Sequence, residues 1–220
     1  MELEKDTKYI KNLIKQGEHQ KLDFKYAIND SKKIARSLSA FANTEGGTLL
    51  IGVKDNGAIV GVSSEEEYYM VEAASNMYTK PEVQFNAKIW EVADKTVMEV
   101  VVGKSSEKPH YAPDKDNKWK AYIRIKDQNI VANRILVKVW KNKKNERQIK
   151  IKYSRKEELL LSYLSEFKSI TFSKFYKLAQ ISKLKAENIL ADFIILGIIE
   201  MKISEKQAEY ILKQKIELDL

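Results

Sequence analysis

Nine basic side chains crowd into residues 138–156: Lys138, Lys141, Lys143, Lys144, Arg147, Lys150, Lys152, Arg155 and Lys156, opposed by Glu146 alone. The net charge of that stretch equals the +8 of the entire chain, so all other residues balance to zero. Trp140 and Tyr153 are interleaved with the cations. Ammonium and guanidinium groups at that density suit a phosphate backbone, and the plainer reading is a solvated linker. Two smaller groups add to it: Lys32, Lys33 and Arg36, and further on Lys183 and Lys185. On a nucleic acid, phosphate contacts would supply affinity and a helix carrying Lys183 and Lys185 would supply base readout.

Other chemistries find less support. Gly103-Lys104-Ser105 has the ending of a phosphate-binding loop, but Met98 stands where the upstream glycine is required. The chain has no cysteine, which excludes disulfides and thiolate metal sites. Its two histidines are His19 and His110. His110 follows Lys108-Pro109 and is expected in a surface loop. No Ser/His/Asp arrangement stands out.

The elements that would position these residues fall into two groups. Residues 7–16 form an amphipathic helix stopped by Gly17, and residues 22–26 alternate as a strand. Asp30 or Ser31 caps a helix with Ile34, Leu38 and Phe41 inward, and residues 48–53 form a buried strand. Asp55-Asn56-Gly57 turns the chain into a hairpin returning over residues 58–62. Ser64 with Glu67 marks a third helix reaching Tyr78, followed by strands over 83–92, 96–102 and 120–125, then a helix over 131–140. Beyond the basic stretch the spacing predicts helices over 157–167, 172–179 and from Ser182 to Leu196. Gly197 and two strands, 198–203 and 208–212, complete the chain. Three helices and a hairpin describe a winged helix-turn-helix, with a helical oligomerisation cap as the alternative. The expected fold class is α+β: a mixed sheet with helices over 1–140, a basic linker over 141–155, and a mainly helical winged-helix-like domain over 156–220.

Residues 39–53, with Asn43-Thr44-Glu45-Gly46-Gly47 at their centre, carry the most specific pattern. Together with Gly17-Glu18, Leu22-Asp23-Phe24-Lys25, Asp55-Asn56-Gly57 and Gly61-Val62, they closely resemble the Alba-like domain of the Schlafen family. The physical reading is compatible: Gly46-Gly47 permits a turn and a close backbone approach, and Asn43 either holds that turn or faces a ligand. Bacterial members are described as DNA-binding proteins or transcriptional regulators, often with a winged-helix region downstream. Some eukaryotic relatives instead cleave structured RNA with three metal-binding acids. The resemblance maps these onto Glu18 and Asp23, five residues apart, and Asp55, with aspartate replacing the usual glutamate at 23. Three such carboxylates would hold Mg²⁺ or Mn²⁺ for phosphodiester hydrolysis. Lys54, where relatives often have an acid, would lower metal affinity and attract phosphate.

The expected function is therefore nucleic-acid binding without a cofactor, DNA ahead of RNA, as a dimeric transcriptional regulator. A metal-dependent RNA nuclease and a protein-interaction module with a basic linker are the alternatives. Residues 1–15 are charged every few positions and lack the apolar run of a signal peptide, and no stretch approaches the ~20 apolar residues of a membrane span. A cytoplasmic location without a membrane partner is expected.

Overall fold

Asp30 begins the helix that organises the first half of the chain: its side chain accepts the Lys32 N–H at 2.8 Å, satisfying one of the helix's orphan donors. In the computed structural model, which describes residues 2–62, 64–145 and 154–213, that helix is α2, Ser31–Asn43. It is preceded by α1 (Glu2–Ile14) and β1 (Leu22–Lys25), and followed by β2 (Gly47–Ile51). β1 and β2 pair in parallel, Asp23 opposite Leu49, and α2 is the crossover such a pair requires. Next come α3 (Ser64–Asn76), β3 (Phe85–Val92) and β4 (Lys95–Val102), giving a sheet of order β1-β2-β4-β3. A second sheet joins β5 (Tyr111–Pro113), β6 (Trp119–Ile125) and β7 (Gln128–Val131), all antiparallel.

The large sheet buries both faces. Leu49, Ile51, Met98 and Val100 pack with Ile34, Leu38 and Phe41 of α2 and Val71 of α3. On the other face Leu22, Phe24, Leu50 and Val97 pack with Ile10 of α1. Each such side chain contributes about 1.5–3 kcal/mol on leaving water. Residues 58–62, expected as a returning strand, form only an isolated bridge, Val53 to Ile59, around the turn closed by Gly57 N–H on the Lys54 carbonyl.

The chain divides into two compact units between Ala132 and Asn133. The second contains α4 (Arg134–Lys144), α5 (Arg155–Phe167), β8 (Ser169–Thr171), α6 (Phe172–Leu178), α7 (Lys183–Ile195), β9 (Ile199–Ile203) and β10 (Ala208–Leu212). Asn133, Ser154, Thr171 and Ser182 cap the four helices, and Ser154 and Glu157 complete a capping box. The sheet order is β8-β10-β9. Leu160, Leu164, Phe175, Leu190, Phe193 and Tyr210 form the core.

Here the structure differs from the expected division at 140. The helix anticipated over 131–140 is α4, and it belongs to the second unit because Ile135 and Val139 are buried in that unit's core. Lys141, Lys143 and Lys144, expected in a linker, are its last turn. The fold class is α+β, as the residue patterning indicated. Among the described residues, no helix is long and apolar enough to cross a membrane.

Candidate nucleic-acid interface

Of the three carboxylates of the nuclease alternative, Glu18 and Asp23 lie side by side and Asp55 does not join them. Asp23, on β1, is almost fully buried between cations: Lys25 Nζ lies 2.9 Å from Oδ2 and Arg124 Nη2 lies 3.2 Å from Oδ1. The Ser37 hydroxyl donates to Oδ2 at 3.3 Å. Burial pushes Asp23 up, but Lys25, the hydrogen bond from Glu18 and Arg124 outweigh it and hold the carboxyl below its usual value. Glu18 lies beside it, accepts the Phe24 N–H at 2.8 Å, and is pushed up by burial and by Asp23. Asp55 is exposed in the turn beyond β2. Among the described residues no group of three His, Cys, Asp or Glu side chains could hold a metal ion. The donor set does not fit Mg²⁺ or Mn²⁺, because the oxygens of Asp23 are already held by cations.

Arg124 was not singled out in the sequence. Its guanidinium is 1% exposed and donates to the Leu22 carbonyl and Asp23 through Nη2 and to Asn129 Oδ1 through Nη1. It ties β6 to β1.

Asn43 holds the junction rather than facing solvent. Its amide donates to the carbonyls of His110 (2.8 Å) and Tyr122 (2.9 Å), and its Oδ1 accepts the His110 N–H at 2.8 Å. A Cβ on Gly47 would lie 2.3 Å from the Phe41 ring, and Gly46 has φ +74° with the Val102 carbonyl 2.7 Å from where its Cβ would be. The glycines therefore serve close packing. His110, expected at the surface, is buried. The Pro81 carbonyl can only accept, so Nδ1 donates to it at 2.8 Å, and Nε2 shares a hydrogen bond with the Ser105 hydroxyl at 2.7 Å. Lys104 pairs with Glu45 at 2.9 Å.

The basic residues are distributed over both units. On α2, Lys33 is exposed, whereas Lys32 donates to Asn117 Oδ1 at 2.7 Å and Arg36 to the Pro113 carbonyl at 2.9 Å. In the second unit, Lys141, Lys143 and Lys144 are exposed in the last turn of α4, where cations also complement the helix dipole. Lys138 is bound to Glu187 (3.5 Å) and Asn188 (2.7 Å). Arg147 lies outside the described residues. Lys183, Leu184 and Lys185 are exposed in the first turn of α7, directly after the Ser182 cap, while Ala186, Leu190 and Phe193 face the core. Sequence reasoning missed Lys80 and Trp119, which stack with the ammonium 4.4 Å from the ring centroid. The available signal was an aromatic residue between Lys118 and Lys120 after a turn.

The Schlafen, AlbA_2 family model matches residues 18–133, more than half of the chain. The chain belongs to the Schlafen AlbA_2 family. The match ends within one residue of the end of the first unit, and α1 of that unit lies before it. A PCI domain model matches residues 131–211, under half of the chain. No curated protein matches the chain. Two solved structures are similar at 20% identity. One, a Corynebacterium diphtheriae protein, has a TM-score of 0.40 and covers 59% of this chain, which spans only 28% of that protein. The other, the N-terminal domain of a RecG-related protein from Nitrosomonas europaea, has a TM-score of 0.41, with 57% of this chain and 95% of that domain covered.

Proposed function

We propose that this Schlafen AlbA_2 protein is a nucleic-acid-binding protein, and more finely a cytoplasmic, dimeric, DNA-binding transcriptional regulator whose second unit is a winged helix-turn-helix. The observation that carries this reading is the first turn of α7. Its three consecutive exposed side chains, Lys183, Leu184 and Lys185, project from a helix whose opposite face is locked in the core. The N-terminal residues of a recognition helix are the ones that meet base edges in the major groove. α6 and α7, joined by a short turn, are the helix pair, and the β9–β10 hairpin with exposed Lys206 at its tip is the wing. B-form DNA opens its major groove to such a helix and A-form RNA does not, which favours DNA. Phosphates would be met by Lys141, Lys143, Lys144 and Arg147.

Selection of binding sequences from a random duplex pool tests the proposal. The full chain should enrich a pseudo-palindromic site with half-sites about 10 base pairs apart. Joint Lys183→Ala and Lys185→Ala substitution should abolish enrichment and leave weak, sequence-independent binding. Enrichment unchanged by both substitutions would remove α7 from the interface.

A further inference from the structure

Trp119 opens β6 opposite Pro113 and remains 39% exposed, although indoles are among the more buried side chains on average. Lys80 Nζ sits 4.4 Å from its ring centroid. A second aromatic–cation pair lies close by: Lys32 Nζ is 5.7 Å from the Tyr78 ring and donates to Asn117 in the hairpin that ends at Trp119. Arg36 is fixed to the same hairpin through the Pro113 carbonyl. Tyr78 is half-buried against the core, so the surface formed by α2, the segment after α3 and the β5–β6 hairpin presents one exposed ring, Trp119, with Lys80 over it and Lys32 bound to the hairpin. Exposed Lys118 and Lys33 add positive charge to it. Of the acids nearby, Asp30 caps α2 and Asp114 accepts the N–H groups of Asp116 and Lys118 at 2.9 and 2.8 Å within its own turn, while Asp116 and Glu82 are exposed.

We propose that this surface binds single-stranded nucleic acid, with an unpaired base stacked on Trp119 and the adjoining phosphates on Lys80 and Lys32. The inference rests on the nucleic-acid-binding reading and assigns it a second, separate site. A duplex keeps its bases stacked on one another and offers an indole nothing but backbone, whereas a single strand offers π-faces with phosphates beside them. An exposed ring already paired with a cation matches the second ligand.

The test uses the full chain and fluorescence anisotropy with labelled oligothymidylate, oligouridylate and a mixed-sequence duplex. Trp119→Ala should weaken binding to oligothymidylate, oligouridylate or both roughly tenfold, and Trp119→Phe, which keeps a ring, should stay within about threefold. Neither should change duplex affinity. In a Trp90→Phe, Trp140→Phe background, Trp119 is the remaining tryptophan, and its emission should be quenched by the single strand and not by the duplex. Intact duplex binding with single-strand affinity unchanged in Trp119→Ala would overturn this site alone. An equal loss on duplex and single strand would also overturn it. Failure of the unaltered chain to bind any nucleic acid would overturn the proposed function together with it.

Discussion

In the first unit Asp23 and Arg124 meet in the interior, whereas in the second Lys183 and Lys185 stand in solvent on the first turn of a helix. The same kinds of charged group act differently in the two places. Inside, the guanidinium loses its hydration and is compensated by Asp23, Asn129 and the Leu22 carbonyl. Removing one partner therefore leaves a stranded charge. Outside, an ammonium keeps its water and counterions, costs the fold almost nothing, and remains available to a polyanion. The lesson is that the residues of this chain most sensitive for stability and those proposed for binding are separate sets, although both are charged.

The largest effect should come from the interior pair. Asp23→Ala should lower the stability of the first unit by about 3–5 kcal/mol, measured by urea unfolding. In a Trp140→Phe background the emission reports the first unit alone, because Trp90 and Trp119 both lie there. Asn43→Ala comes next, at about 2–3 kcal/mol, since it strands buried backbone groups of His110 and Tyr122. Gly47→Ala should cost about 1–3 kcal/mol through the clash with Phe41. Changing Lys141, Lys143 and Lys144 together to Ala should shift stability by no more than about 0.5 kcal/mol. A large drop there would erase the contrast between the units.

Acid sharpens the same contrast. Asp23 is held below its ordinary value of 3.8, so its contribution is complete above that pH and is lost as pH falls through the lower folded value. Glu18 has the opposite sign: it is raised above 4.5, so its contribution is present below 4.5 and is lost as pH rises through the raised value. Glu18→Gln should therefore raise first-unit stability at neutral pH, and Asp23→Asn should flatten the acid limb of the stability profile. Urea midpoints across the acid range check both.

Some of this was legible in the residues and some was not. α2 could be read from its Asp30 cap and from Ile34, Leu38 and Phe41 at helical spacing, because those signals are local. The Gly46-Gly47 junction was also visible, since a pair of glycines marks a backbone constraint. Asn43 was ambiguous because its partners lie 67 and 79 residues away. His110 looked like a surface residue for the same reason: nothing near it in the chain shows that Asn43 and Pro81 enclose it. Arg124, 101 residues from Asp23, reads as an ordinary outward side chain of a short strand. The short strands β5, β7 and β8 were missed because three or four residues carry too little alternation to register. α4 was recognised as a helix, but its apolar stripe does not say which core receives it.

The central claim, that the second unit's exposed cations bind DNA phosphates, is tested most directly by the salt dependence of duplex affinity. Log affinity plotted against log salt should fall steeply for the unaltered chain. In the protein carrying Lys141→Ala, Lys143→Ala and Lys144→Ala the slope should be shallower by about 2.7, roughly 0.9 for each phosphate no longer neutralised. Identical slopes for the two proteins would contradict the account and leave the basic stretch as a solvated helix end.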